Sequence, residues 1–91
     1  MQIVLMSLKP KEFIEKEIHE YITQIITVKS GSATIQLFDN ELNNNPNTTI
    51  ELNGEKGNDT FIILPDTYHK VINSSSEYNL KIYTIYSSNV H

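Results

Sequence analysis

Cysteine is absent from the 91 residues, which removes disulfide stapling, thiolate catalysis and thiolate-bound zinc or iron–sulfur clusters together. Arginine is absent as well, since all seven basic residues are lysine. No guanidinium is therefore available to fork onto a phosphate or a guanine edge. With a net charge of -4 and a pI near 5.2, nucleic acid is not an expected partner. Glycine is scarce: Gly31, Gly54 and Gly57 are the three, and none precedes Lys-Ser/Thr. That excludes a phosphate-binding loop, and no Gly-x-Ser-x-Gly elbow occurs either. Apolar runs are short, as in Ile3-Val4-Leu5-Met6. They fall well below the roughly 18 residues that span a bilayer and the apolar region of about 7–15 of a signal peptide. The expectation is a soluble, cytoplasmic protein without a membrane partner.

What is present amounts to one small domain, residues 1–91. A mass of 10.4 kDa leaves no room for a TIM barrel or for a dinucleotide-binding domain with a substrate domain attached. Hydrophobic residues make up 38%, charged residues 20%, and the mean hydropathy is -0.32, enough apolar content at regular spacings for a modest core. Asn-x-Ser/Thr sequons stand at Asn47, Asn58 and Asn73, as expected by chance in a chain rich in Asn, Ser and Thr.

Along the chain, β-branched and apolar residues cluster from Met1 to Leu8 and are stopped by Lys9-Pro10, which predicts a strand. Residues 13–19 alternate imperfectly and predict another, although Phe13, Ile14, Glu17 and Ile18 also have roughly helical spacing. Ile25 to Val28 and Ala33 to Leu37 flank Ser30-Gly31 and predict a hairpin. An Asn-rich segment, about 39–48, has no apolar period and is expected to be a mobile, removable surface loop. Short strands are expected at 49–52, 60–64, 69–73 and 78–86, with a turn-rich segment at 53–59. About eight strands at such spacing indicate an all-β sandwich or barrel, with short helical turns at most. An apolar first strand at the edge of so small a barrel should be paired, so a homodimer is expected.

Four polar residues could be gathered by such a barrel. Glu17 and His19, two apart on a strand, can face inward while Ile18 faces away. Gln24 has the opposite parity, but a bend at 20–23 would let the next strand present it beside them. His69 follows a proline turn. On spacing alone, Glu17 reads more readily as a solvated charge, His19 as a surface histidine and His69 as a hydrogen-bonded residue at a strand start.

With Glu17-Ile18-His19 followed after four residues by Gln24 and after six more by Gly31, the chain resembles the first motif of small single-domain cupins, G-x5-H-x-H-x4-E-x6-G. Pro65, His69 and Asn73 resemble the second, G-x5-P-x-G-x2-H-x3-N. The likeness covers nearly the whole chain and is nearest to a subgroup of the phosphomannose isomerase type. There are departures: Lys11 and Asp59 stand where the first glycine of each motif is usual, and Pro65 to His69 is one residue short, with no glycine in the turn.

The resemblance implies a single jelly-roll β-barrel with the Asn-rich loop as an insertion. It implies a divalent transition metal, Fe, Mn, Ni or Zn, held by Glu17, His19, Gln24 and His69, with Ile26, Val28 and Val71 as apolar wall. A small-molecule substrate or ligand would be the partner. The expected function is a metal-dependent enzyme of the oxygenase or isomerase/lyase type, the alternative being a non-catalytic module that binds a small ligand.

Overall fold

The computed structural model describes residues 1–55, 57 and 59–88. Lys56 and Asn58, the latter a sequon residue, lie outside the described residues. Eight strands follow one another: β1 (Gln2–Leu8), β2 (Phe13–Glu17), β3 (Ile22–Ser30), β4 (Ser32–Phe38), β5 (Thr48–Asn53), β6 (Thr60–Ile63), β7 (Tyr68–Ile72) and β8 (Leu80–Ser88). They form two antiparallel four-stranded sheets, β1-β8-β3-β6 and β2-β7-β4-β5. The fold is the all-β jelly roll expected, and there is no helix among the described residues. The helical spacing of residues 13–18 therefore loses to strand pairing of β2 with β7.

Strand alternation builds the core. Ile26, Val28, Ile63, Leu80 and Ile82 from the first sheet meet Ala33, Ile35, Leu52 and Val71 from the second, all buried. Each of the larger aliphatics contributes about 1.5–3 kcal/mol by leaving water. Ile26, Val28 and Val71, expected as wall around a metal, are thus members of the packed interior.

One expectation about connectivity needs correction. The runs on either side of Ser30-Gly31 do not pair as a hairpin, because β3 and β4 belong to different sheets. Gly31 is a corner between sheets: it adopts φ 89°, and a Cβ there would lie 2.7 Å from the Asn79 carbonyl oxygen. Turn residues mark a change of direction and cannot tell whether the chain folds back beside itself or crosses to the facing sheet.

The Asn-rich loop is also more tied down than its composition implies. Asn40 Oδ1 accepts hydrogen bonds from the Leu42 and Asn43 amides, at 3.0 and 2.9 Å. Lys16 Nζ donates to the carbonyls of Glu41 and Asn43, at 3.1 and 2.7 Å, while lying 3.8 Å from the centre of the Phe38 ring. Leu42 remains 89% exposed and does not anchor the loop, whereas Pro46 is half-buried.

Candidate metal centre

Two irregular segments aim the site. β2 pairs with β7 in register Phe13↔Ile72 and Ile14↔Val71, but the next pair is Glu17↔His69, so β2 carries one extra residue there. Continued without this bulge, the register would place Lys16 opposite His69. The bulge instead makes Glu17 the direct cross-strand neighbour of His69, on the same face. His19 lies beyond the end of β2, in the bend before Tyr21, which adopts φ 62°. The His19 carbonyl accepts the amide of Asp66 at 3.0 Å, which stitches this bend to the turn before β7.

In that turn, which lacks a glycine, Asp66 takes the left-handed conformation with φ 63°. Lys11 does the same with φ 67°, at the place where the first motif usually has glycine. Its amide is held by the carbonyls of Asn73 and Ser75 at 3.0 and 3.2 Å. Aspartate accepts this conformation more readily than most side chains, and a fixed hydrogen-bond frame offsets the cost for lysine. The shortened turn still delivers His69 into the interior, where it is 2% exposed.

One ligand atom from each of Glu17, His19 and His69 can be chosen so that all lie within 4.8 Å of one another. His19 Nε2 and Glu17 Oε2 are 3.2 Å apart, and the rings of His19 and His69 have centroids 5.4 Å apart. His69 forms the floor, while the Glu17 and His19 side chains, 40% and 27% exposed, form the mouth. His69 Nδ1 is 3.0 Å from the Thr67 carbonyl oxygen, which can only accept, so the proton sits on Nδ1 and Nε2 carries a bare lone pair. Among the described residues that buried Nε2 has no hydrogen-bond partner. Burial holds the His69 imidazole below its ordinary pKa, with the Thr67 bond acting the other way and the neighbouring His19 adding to the fall. The neutral ring is the form that ligates metal.

Gln24 is brought to the same region by a different route. Buried on β3, it donates from Nε2 to Thr84 Oγ1 at 3.0 Å and to the Tyr86 hydroxyl at 3.4 Å, and among the described residues its Oε1 has no partner. Tyr86 in turn stands edge-on to the His19 ring, with centroids 5.3 Å apart. Burial and the Glu17 carboxylate push the Tyr86 phenol up, against the Thr84 bond, so it stays protonated. Thr84 and Tyr86 were not singled out from the sequence. The signal was there in the period of β8, where the inward positions Leu80 and Ile82 are followed at the same spacing by polar Thr84 and Tyr86.

Two unpartnered buried atoms, an imidazole nitrogen and an amide oxygen, are costly unless something occupies their lone pairs. Of the two, the His69 nitrogen lies in one cluster with the His19 imidazole and the Glu17 carboxylate, a donor set that could hold a divalent transition metal.

Comparison with known proteins agrees with this architecture. No protein-family model matches the chain. A relative at the level of sequence is an uncharacterized protein of Acanthamoeba polyphaga mimivirus, 40% identical; the alignment covers 99% of this chain and 51% of the relative, so the chain spans about half of that protein's length. Among solved structures, BH2720 from Bacillus halodurans superposes with a TM-score of 0.82 at 29% identity, covering 99% of this chain and 64% of that one. The cupin domain of Drosophila melanogaster CENP-C gives 0.75 at 14% identity, covering 93% of this chain and 59% of that one. The same CENP-C has also been solved bound to CAL1. The chain folds as a small cupin.

Proposed function

We propose that this cupin holds one divalent transition metal through Glu17, His19 and His69, with Gln24 as a further neutral oxygen donor, and presents it to a small molecule. The observation that carries the reading is the bare Nε2 of His69, buried, fixed in its tautomer by Thr67 and beside a second imidazole and a carboxylate. A carbonyl bonded to the far nitrogen of a ligating histidine is the usual device for orienting the ring and raising its basicity. A metal bound there supplies Lewis-acid polarisation of a substrate carbonyl, or redox activation of dioxygen or of the substrate. The chain's own contribution is to keep His69 neutral, to hold the protonated Tyr86 ring edge-on to His19, and to leave the Glu17 side toward solvent for entry. Fe(II), Mn, Ni and Zn all suit the donor set, and an oxygenase or an isomerase/lyase is the activity proposed.

A second reading, a non-catalytic module that binds a metal or a small ligand, is favoured by one feature. The cluster contains a single carboxylate, and Glu17 as a ligand is not free to shuttle protons.

Elemental analysis of protein purified without added metal, followed by titration with Mn(II), Fe(II) and Zn(II), tests the metal site. About one equivalent per chain is expected, with His19→Ala and His69→Ala each weakening affinity by at least about tenfold. Parent-like stoichiometry and affinity in both variants would place any metal elsewhere. Turnover of added substrates by the loaded protein separates enzyme from binder.

A further inference from the structure

The extra residue in β2 has a consequence on the side of the sheet away from the metal centre. With Ile14 and Glu17 both turned inward, Glu15 and Lys16 between them are both turned outward. Across β7 and β4 that outer side continues as two directly opposed pairs, Lys70↔Gln36 and Tyr68↔Phe38. The Asn-rich loop returns over these residues and is fastened there by Lys16, so Phe38 is only 7% exposed although it points away from the core. Between loop and sheet lies a cavity of about 440 Å3, with Glu41 and Asn44 on the loop side. Small-molecule sites span about 300–1,000 Å3, so it is of ligand size. None of Glu17, His19 and His69 lines it.

The charges around this cavity are unmatched. Lys16 Nζ is already bonded to two loop carbonyls. Glu15 and Lys70 stand on neighbouring strands, yet among the described residues neither forms an ion pair, and the Glu41 carboxylate has no partner either. Lys70 Nζ lies instead 4.2 Å from the centre of the Phe13 ring. One cavity therefore presents two uncommitted carboxylates, one uncommitted ammonium and an aromatic floor.

We propose that this cavity binds a small zwitterion with an apolar side chain, a free α-amino acid. Its ammonium group lies between the Glu15 and Glu41 carboxylates, its carboxylate on Lys70, and its side chain on the Tyr68 and Phe38 rings. Contacts of this kind between ionised groups are about twice as strong as neutral hydrogen bonds, and an aromatic floor suits a flat apolar side chain. A phosphorylated ligand would meet two carboxylates and a single available lysine, whereas a polyamine would leave Lys70 opposed to it. The site needs no metal and is independent of the proposed metal centre.

Amide NMR shifts of the isotopically labelled full chain, titrated with L-phenylalanine at about pH 7, test the assignment, since both charges of the probe are present there. Saturable shifts at Gln36, Tyr68 and Lys70 are expected, with a Kd of about 1 mM or tighter. Phenethylamine, which lacks the carboxylate, and hydrocinnamate, which lacks the ammonium, should each bind at least about fivefold more weakly. Glu15→Gln and Lys70→Met should weaken L-phenylalanine by a similar factor with an unchanged far-ultraviolet spectrum. Absence of saturable shifts up to about 10 mM, or shifts confined to residues elsewhere, overturns the proposal. Phenethylamine binding as tightly as L-phenylalanine overturns it in favour of a simple cation site, and hydrocinnamate doing so overturns it in favour of an anion site. Parent-like affinity in both variants shows that these charges do not hold the probe and overturns it as well.

Discussion

His69 on β7 and Asn73 just after it are both buried polar side chains, 2% and 0% exposed, and the structure treats them in opposite ways. Asn73 is saturated. Its Nδ2 donates to the carbonyls of Leu8 and Tyr78 at 3.1 and 2.9 Å, and its Oδ1 accepts the Ser75 amide at 3.1 Å. Its backbone amide donates to the Glu12 carbonyl at 2.9 Å. The residue ties the end of β1, the turn before β2 and the loop before β8 into one knot, and its buried amide is no glycan acceptor. His69 has one nitrogen bonded and the other, among the described residues, without a partner. A buried polar group with all partners made is an architectural device, whereas one held in place with a lone pair left over is a site.

The sharpest way to break this contrast is to truncate the saturated residue. Asn73→Ala strands two carbonyls and an amide, and about 3 kcal/mol of stability is expected to be lost, measured by urea unfolding. Next in size is the effect of filling the unsaturated one. Metal at about a hundred times its Kd should stabilise the parent by about 2.7 kcal/mol, and His69→Leu should abolish that shift while leaving the metal-free protein as stable as the parent or more so. A large loss of metal-free stability in His69→Leu would show that the histidine is architectural after all.

A smaller effect concerns the bend that carries His19. Tyr21 is 62% exposed and takes a left-handed conformation that tyrosine disfavours. Tyr21→Gly should therefore raise stability by about 0.5–1 kcal/mol, read as a higher Tm, unless the ring contributes packing that offsets the relief. The last test is of sign. His69 is held below its ordinary pKa of 6.5 when folded. As pH falls past that value the unfolded chain takes up the proton first, so stability is full above about pH 6.5 and declines below it until the folded-state pKa is reached. A Tm profile of metal-free protein from about pH 7.5 to about 5.5 should slope downward, and His69→Leu should flatten it.

Much of the fold was legible because strands announce themselves locally. All eight strands fall within a few residues of the runs expected for them, since alternation and proline or glycine punctuation depend on neighbours in sequence. Glu17, His19 and His69 were identified by likeness to cupin motifs more than by chemistry, because on spacing alone each had an ordinary structural reading: a solvated charge, a surface histidine and a hydrogen-bonded residue at a strand start. Tyr86 and Thr84 were missed because their role depends on facing Gln24, a contact made across 60 residues or more of chain.

By itself, the sequence determined the class: without cysteine or arginine, and with β-branched residues alternating in short runs, it could make a small acidic β-barrel held by packing alone. Tertiary structure decided the rest. It set β3 and β4 in different sheets, placed a bulge so that Glu17 and not Lys16 faces His69, and kept positive φ at Lys11 and Asp66. The physical reason is that strand formation is read from residues one or two apart, whereas sheet membership, register and the meeting of side chains are set by pairings between distant segments, whose energies exist only once the chain has closed on itself.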